Sequence, residues 1–251
     1  MTSFSFAAGW SRLNEQSICA IQCKNIGITL NSRTTHHTQP EHLPHGIPVL
    51  YHDDYLISLD KPSGLLSVKG IGIDKIDCLE VRAASAIEGS RIVHRLDMDT
   101  SGVIVLARDA DTHRKLSRQF QDREVHKTYI AVVGDLVQNN DGSIDIPIRK
   151  DMDNPPKQCV DFEQGKPSLT HYEVLKRGVD TTRVLLKPVT GRSHQLRMHL
   201  KEIGHPILGD NLYAPDDLRD ASSRLLLHAA TLTITHPATN ESLTFESACP
   251  F

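Results

Sequence analysis

The stretch His94-Arg95-Leu96-Asp97-Met98-Asp99-Thr100-Ser101-Gly102 decides the fold and chemistry expected of this chain. The apolar pair Ile92-Val93 precedes it, and a β-branched, apolar run from Val103 to Ala107 follows it. Runs of this kind are typical of buried strands, so we expect Asp97 to lie on a tight connection between two strands. An aspartate in such a loop most often hydrogen-bonds its own backbone. Two interpretations of Asp97 are therefore open at this point, a turn residue and a functional carboxylate.

Segments with a strand pattern occur on both sides of this stretch. They are rich in β-branched and apolar residues and are separated by Gly, Pro, Asn and Asp, which is typical of strands linked by hairpins. By residue number they are 49–51, 55–59, 127–133, 144–148, 169–175, 182–187, 225–235 and 242–245. The tripeptide Asn140-Asp141-Gly142 predicts a turn before the fourth of them.

Two segments predict helices. The first spans residues 109–123, where Asp109 or Asp111 can accept a hydrogen bond from the first turn as an N-cap. The second spans residues 193–203, with Ser193 as the candidate N-cap and a glycine directly after its end. Because strands outnumber helices and are mostly linked as hairpins, the sequence predicts an α+β fold. Its sheet should be mixed but largely antiparallel, with flanking helices.

The chain divides into a tail and a folded body. Residues 1–45 have no sustained hydrophobic period, and they end in a polar run that is rich in Thr, His and Pro. That composition is typical of a flexible or loosely attached segment. We therefore expect an N-terminal extension over residues 1–45 and one folded domain over residues 46–251.

Composition excludes several classes of protein. The chain has 251 residues, of which 39% are hydrophobic and 24% charged, as in ordinary soluble proteins. No apolar stretch approaches the roughly 18–20 residues of a membrane span, and no secretory signal precedes the body. The five cysteines are scattered, which favours reduced thiols in the cytoplasm. The 14 histidines show no metal-ligand spacing, so we expect no metal. We also expect a cytoplasmic monomer without membrane association.

Charge is distributed unevenly along the chain. The net charge is −3, which argues mildly against a nucleic-acid partner. Residues 41–90 carry four Lys or Arg against eight Asp or Glu, whereas residues 176–201 carry seven Lys or Arg against one acid. The seven are Lys176, Arg177, Arg183, Lys187, Arg192, Arg197 and Lys201. This polarity fits either a solvated basic face or a surface that binds RNA phosphates.

Four segments resemble the motifs of one known family. The nine residues around Asp97 are similar, at every fixed position, to the catalytic motif of the RluA-type RNA pseudouridine synthases. Lys61-Pro62-Ser63-Gly64-Leu65, Lys127-Thr128-Tyr129 and residues 191–200 resemble the family's other motifs and follow in the family's order. The resemblance spans residues 49 to 245 and is closest to the RluA branch of dual rRNA and tRNA synthases. That branch lacks the S4-type RNA-binding domain of several relatives.

This resemblance implies both a fold and a reaction. The implied fold is that of pseudouridine synthases, with a central RNA-binding cleft in an α+β domain. The implied reaction is an isomerisation: the N1–C1′ bond of uridine breaks, the base turns, and C5 is joined to C1′. Nothing is oxidised and no group is imported, so no cofactor is expected. The RluA branch implies an RNA partner, namely stem-loops of 23S rRNA and of the tRNA anticodon arm.

The resemblance also assigns catalytic roles. Asp97 is the implied catalytic carboxylate, acting as nucleophile at C1′ or as base at C2′, and the sequence leaves both routes open. Arg197 is the implied basic partner of that carboxylate; the alternative for Arg197 is a phosphate contact or a place on the protein surface. Tyr129 is the implied active-site tyrosine, which stacks on the uracil and can help to remove the C5 proton.

Several cations are candidates for RNA binding. Arg95 precedes Asp97 by two residues and would share its side of an extended chain, where it can hold the target nucleotide out of the stack. Arg192 is the next candidate for a phosphate contact, in a basic segment, residues 176–201, expected to line one wall of the cleft. A weaker basic flank is expected on the first helix from Arg114, Lys115 and Arg118.

Two other classes of function compete with an RNA isomerase. One is an RNA-binding or RNA-folding protein whose catalysis is secondary, although such a protein would tolerate loss of the three catalytic candidates. The other is a glycosidase with carboxylate catalysis, which needs a second acidic group, and Asp99 is too close in sequence to supply it. Four histidines are expected to form structural hydrogen bonds instead of acting in catalysis: His94, His194, His199 and His228.

Overall fold

The structure is a computed structural model that describes residues 42–43, 46–70, 72 and 75–251. The flexible extension predicted for residues 1–45 lies outside the described residues, except for His42 and Leu43. These two form a short strand that pairs with residues 47–48, and Leu43 is buried in the hydrophobic core. The folded body therefore includes two residues that the sequence analysis placed in the extension.

Strands dominate the described part of the chain. In chain order they are β1 (His42–Leu43), β2 (Ile47–His52), β3 (Leu56–Lys61), β4 (Arg91–Ile92), β5 (Ser101–Ala107), β6 (His126–Gly134), β7 (Asp141–Asp145), β8 (Ile148–Lys150), β9 (Gln158–Val160), β10 (Leu169–Arg177), β11 (Thr181–Pro188), β12 (Leu227–Thr235) and β13 (Ser242–Glu246). The helices are α1 (Leu79–Ala86), α2 (Ala110–Asp122), α3 (Gln195–Glu202) and α4 (Asp216–Asp220). None of the helices described is long and apolar enough to cross a membrane.

One large sheet organises the fold. Eleven of the described strands belong to it, in the order β1-β2-β3-β5-β12-β6-β11-β10-β7, with β4 beside β5 and β13 beside β12. β5 and β12 run parallel, and the neighbouring pairs on both sides of them are antiparallel. β8 and β9 form a separate two-stranded sheet. The predicted α+β class with a mixed, largely antiparallel sheet is confirmed.

Strand β5, which follows the catalytic-type motif, is buried along its whole length. Ile104 and Leu106 pack into one apolar cluster, with α1 and β3, whereas Val103 and Val105 pack into another, with α2 and β13. Alternate side chains of a strand point to opposite faces, so a run that is apolar at every position is buried on both faces. The motif's last residue, Gly102, has φ +110°, and a β-carbon there would overlap the carbonyl of Ala229 on β12. Only glycine permits this close parallel approach.

The second half of the sheet has a core of its own. Apolar side chains from β6, β7 and β11 pack against the buried face of α3 and are joined there by Ile207 and Leu225. Because Tyr129 borders this core as well as the one under β5, β6 lies where the two cores meet.

Helix prediction was partly right. Asp109 caps α2, since its Oδ1 accepts a hydrogen bond from Thr112 N at 2.9 Å. Ser193 was the wrong cap for α3: the helix begins at Gln195, and His194 before it adopts a left-handed conformation with φ +53° and caps nothing with its side chain. Helix α1 was not predicted at all.

The turn predicted at Asn140-Asp141-Gly142 was also wrong in part. Asp141 and Gly142 lie inside β7, which pairs with β10. The strand predicted over residues 144–148 is divided between β7 and β8, with Ile146 and Pro147 between them. Tertiary pairing with β10 therefore overrides the local turn preference of these residues.

Candidate active site

A cleft of about 980 Å³ opens beside the edge where β5 begins. Most of its lining comes from four parts of the chain: the loop before β5, the C-terminal end of α2 with the residues after it, the first half of β6, and the segment that joins β11 to α3. Asp97, Tyr129 and Arg197 all line it, as do Arg95 and Arg192. The fold thus brings together the three catalytic candidates and two of the RNA-binding candidates.

The Asp97 loop is held from below by Lys61 at the end of β3. The Lys61 side chain is fully buried, and its Nζ donates to the carbonyl oxygens of Pro62, Leu65 and Met98 at 2.7–2.9 Å. Burial lowers the Lys61 pKa to about 7, partly offset by the nearby charges of Asp99 and Asp97. The lysine motif of residues 61–65 therefore supports the loop that presents Asp97.

Two basic side chains approach the Asp97 carboxylate, one at each oxygen. Arg197 Nη1 lies 3.8 Å from Oδ2, and His194 Nε2 lies 4.0 Å from Oδ1. The Asp97 side chain is 26% exposed, and among the described residues its carboxylate accepts no hydrogen bond. The carboxylate is thus flanked by donors and open to the cleft.

Arg197 itself is anchored by a carboxylate that the sequence analysis did not single out. Its guanidinium donates twice to Asp210, Nε to Oδ2 at 2.8 Å and Nη2 to Oδ1 at 2.6 Å. Nη2 also donates to Asn211 at 3.2 Å. Asp210 and Arg197 are 1% and 3% exposed, so the pair is buried. The predicted pairing of Arg197 with Asp97 is present, but it is the looser of two contacts.

His194 belongs to this cluster and forms a structural hydrogen bond, as expected. Its Nδ1 lies 2.7 Å from the hydroxyl of Tyr213, and that hydroxyl accepts a hydrogen bond from Gln158 N on β9 at 2.8 Å. A hydroxyl that accepts from an amide can donate its own proton to Nδ1, which places the imidazole proton on Nε2, towards Asp97. Burial lowers the His194 pKa, with Asp97 and Arg197 acting in opposite directions. His194 is therefore neutral at pH 7.

Tyr213 contacts both basic neighbours of Asp97. Besides its bond to His194, its ring lies 5.2 Å below the guanidinium carbon of Arg197. Burial raises the Tyr213 pKa to about 12. A sequence signal for Asp210 did exist, because it ends the segment Gly204-His205-Pro206-Ile207-Leu208-Gly209-Asp210, which also resembles a stretch of the family. The roles of Asp210 and Tyr213 become visible only when α3 is placed beside them.

Tyr129 lies on β6 and lines the same cleft. Burial raises its pKa, and the negative charge of Asp97 adds to this effect. Within the described part of the chain, its hydroxyl has no hydrogen-bond partner. The phenol is therefore protonated at neutral pH and free to meet a ligand.

The other three histidines form structural hydrogen bonds, as expected. His94 Nε2 accepts from Val105 N at 3.1 Å, its ring stacks on Phe120, and burial lowers its pKa to about 3. His199 joins Thr170 to the carbonyl of Ile146. His228 joins Ser101 to the carbonyl of Ser247.

The charge lining the cleft is net positive. Six Lys or Arg and two Asp side chains of the described residues line it. The six cations are Lys75, Arg95, Arg123, Lys127, Arg192 and Arg197. Sequence reasoning missed Lys75, Arg123 and Lys127 as candidates, because they lie outside the basic segment of residues 176–201.

The predicted basic flank on α2 does not line the cleft. Arg114, Lys115 and Arg118 are exposed, and the first two form ion pairs with Asp111 on the same helix. α2 presents only its C-terminal end to the cleft, through Phe120 and the two residues after the helix that line the wall. The helix therefore contributes Arg123 in place of the three predicted cations.

The prediction that residues 176–201 line one wall was right only for their second half. The cleft is lined by residues 188–197, including Arg192 and Arg197. Four of the remaining five cations are engaged elsewhere: Arg177 with the carbonyl of Val137, Arg183 with the carbonyl of Phe251, Lys187 with Glu173, and Lys201 with Glu202. Strand pairing along β10 and β11 therefore divides a basic run that is continuous in sequence.

Known proteins resemble this chain in sequence and in fold. A family model described as RNA pseudouridylate synthase matches residues 55–202. The dual-specificity RNA pseudouridine synthase RluA of Escherichia coli K12 is 48% identical over 204 residues, covering 81% of this chain and 93% of that protein. The RluA of Vibrio cholerae is 45% identical, covering 82% and 84%. The structure of human RNA pseudouridylate synthase domain containing 1 superimposes with a TM-score of 0.70 at 30% identity, covering 82% and 84%.

Proposed function

The chain belongs to the RNA pseudouridylate synthase family, and we propose that Asp97, Tyr129 and Arg197 carry out its reaction on uridines of structured RNA. As a member of this family the protein is an isomerase that converts uridine in RNA to pseudouridine. The reaction leaves the atomic composition of the RNA unchanged. The N1–C1′ bond breaks with its electron pair going to the uracil, a C5–C1′ bond forms, C5 loses a proton and N1 gains one.

Asp97 supplies the carboxylate of this reaction. When the N1–C1′ bond breaks, C1′ becomes electron-deficient, and an ionised carboxylate can add to C1′ or remove the proton at C2′. Both routes need a carboxylate whose lone pairs are free. Asp97 meets this need because it accepts no hydrogen bond from the described residues and is open to the cleft.

Arg197 keeps a fixed positive charge beside that carboxylate. The bidentate bond to Asp210 holds the guanidinium in one orientation, with Nη1 left at 3.8 Å from Asp97. A cation so placed favours the ionised form of a carboxylate when substrate excludes water from the cleft. Arg197 therefore places a positive charge beside Asp97 without forming a short hydrogen bond to its carboxylate.

Tyr129 packs against the uracil and handles the C5 proton. Its raised pKa means that a phenolate is not available, so the hydroxyl can accept the C5 proton only while it passes its own proton on. The Asp97 carboxylate, whose charge contributes to that raised pKa, can receive this proton once C1′ is joined to C5. The ring itself offers a face on which the base can stack.

The substrates that we propose are uridines in stem-loops of 23S rRNA and of the tRNA anticodon arm. A base inside a duplex cannot reach a carboxylate in a cleft, so the nucleotide must be unstacked, as loop nucleotides are most readily. Arg95 and Arg192, both on the cleft wall, contact the RNA backbone and hold the nucleotide out. We further propose that the protein acts as a cytoplasmic monomer.

The observation that carries the proposal is the convergence of Asp97, Arg197 and Tyr129, from three separate segments, on one positively lined cleft. The test uses the purified full chain with unmodified transcripts of 23S rRNA and of tRNAs. Tritium release from C5-labelled uridine measures turnover, and chemical mapping of pseudouridine locates the product. Product at one loop uridine in each RNA class is expected, and it should vanish when that uridine is replaced by cytidine. Binding without product would instead favour an RNA-folding protein.

A further inference from the structure

Two lysines of the described chain lie at the cleft or directly beside it, Lys61 fully buried and Lys127 half-buried, and they differ in one further respect. Lys61 donates to three carbonyl oxygens. Lys127, on β6, has no hydrogen-bond acceptor and no acidic partner among the described residues. Burial lowers the pKa of both. An ammonium that has lost part of its hydration without gaining an acceptor destabilises the folded state, so Lys127 needs an explanation that Lys61 does not.

The position of Lys127 indicates where its acceptor would come from. Lys127 and Tyr129 are two residues apart on one strand, about 7 Å along it, and both side chains line the cleft. On the opposite wall, the Lys127 ammonium lies against Gly191: a β-carbon added there would be 3.5 Å from Nζ. The ammonium therefore lies against the segment of the opposite wall that also carries Arg192.

We propose that Lys127 is a phosphate-binding site for the nucleotide that enters the cleft, and that it takes a phosphodiester flanking the target uridine. This inference rests on the proposed function, because it assumes that an RNA occupies the cleft. A phosphodiester is the anionic group of RNA, and a lysine binds it as a point charge. Pairing with it would compensate for the hydration that the ammonium has lost. Lys127 and Arg192 would then hold the backbone from two sides while the base lies against Tyr129.

The first experiment compares Lys127→Met with wild type in RNA binding and in stability. The probe is a short RNA stem-loop with a single loop uridine that the wild-type protein converts. Binding should weaken several-fold, and the log–log salt slope should fall by about 0.7–1, the value for one lost phosphate contact. The melting temperature of the free protein should not fall, because an unpaired, desolvated cation is replaced by an apolar chain of similar length.

Lys187→Met is the matched control. Lys187 lies on β11, outside the cleft lining, and pairs with Glu173 at 3.0 Å. Its loss should leave the salt slope unchanged. Lys127→Arg, which keeps the charge, should recover most of the lost affinity. If Lys127→Met keeps the wild-type affinity and slope, the proposal is overturned.

A second experiment locates the phosphate. The RNA is prepared with an uncharged methylphosphonate on the 5′ or the 3′ side of the loop uridine. If Lys127 binds one of these phosphates, Lys127→Met should lose no further affinity on the RNA that lacks its charge, so the two changes are not additive. Full additivity at both positions would show that Lys127 meets another group, such as a uracil carbonyl. If the wild-type protein converts the loop uridine of none of the stem-loops tested, so that no such probe is found, the proposed function itself is contradicted.

Discussion

Two carboxylates face Arg197, and the structure holds them in opposite ways. Asp210 is buried, and both of its oxygens accept hydrogen bonds from the guanidinium. Its Oδ1 also accepts hydrogen bonds from Leu212 N and Tyr213 N. Asp97 is 26% exposed, sits 3.8 Å from Nη1 and accepts no hydrogen bond from any described residue. A carboxylate that holds a cation in place uses its lone pairs to accept hydrogen bonds, whereas a carboxylate that reacts with substrate must have lone pairs free.

The largest effect should come from Asp97→Asn. The amide keeps the size of the side chain but lacks the charge and the nucleophilicity, so turnover should fall on the order of 10³-fold or more. Stability should change little, because few contacts are lost, and RNA affinity should stay within a few-fold. Single-turnover tritium release and filter binding measure the two quantities. Substantial turnover, with deamidation excluded by mass spectrometry, would remove Asp97 from the mechanism.

Asp210→Asn should show the reverse pattern. The substitution leaves a buried guanidinium without its bidentate partner, and breaking a buried ion pair in this way costs about 3–5 kcal/mol. Denaturant unfolding should therefore show a large loss of stability, accompanied by a smaller loss of turnover as Arg197 loses its fixed orientation. If Asp97→Asn proves the more destabilising of the two, the distinction between an anchoring and a reacting carboxylate is wrong.

Tyr213→Phe tests the contact of Tyr213 with the two basic neighbours of Asp97, His194 and Arg197. It removes the hydroxyl that joins His194 to Gln158 but keeps the ring below Arg197. We expect a stability loss of about 1 kcal/mol, typical of one hydrogen bond. We also expect a fall in kcat on the order of tenfold with little change in KM, because His194 would no longer be held towards Asp97. A change confined to stability would show that Tyr213 acts only in packing.

The smallest effect concerns pH and His194. Burial places its folded-state pKa below the ordinary value of 6.5. Between these two pKa values His194 binds more protons in the unfolded chain than in the folded chain. Its contribution to the free energy of unfolding is therefore fully present above pH 6.5 and is lost as pH falls through the folded-state pKa. His194→Asn removes this dependence and tolerates the left-handed backbone. Below pH 6.5, the slope of the unfolding free energy against pH should decrease by less than the contribution of one bound proton. An unchanged slope would mean that His194 does not titrate there.

The sequence by itself determined the parts whose causes are local. The run after Gly102 is apolar at every position, which requires burial on both faces, and β5 is buried along its whole length as expected. The place of Asp97 before that strand and the cap of α2 by Asp109 follow from neighbouring residues in the same way. The fold and the reaction could be inferred from the family resemblance because each family motif is a short, continuous segment of the sequence.

Only the tertiary structure decided which side chains meet. Asp210 and Tyr213 gained their roles because their loop packs beside α3, and local sequence cannot encode a contact between distant segments. The basic run of residues 176–201 was divided because strand pairing engages its first half with other partners. Lys61 and Lys127 each begin a family-like motif in the sequence; what distinguishes them is whether folding supplies an acceptor. Charge and residue type are properties of the chain, but pairing and desolvation are properties of the fold.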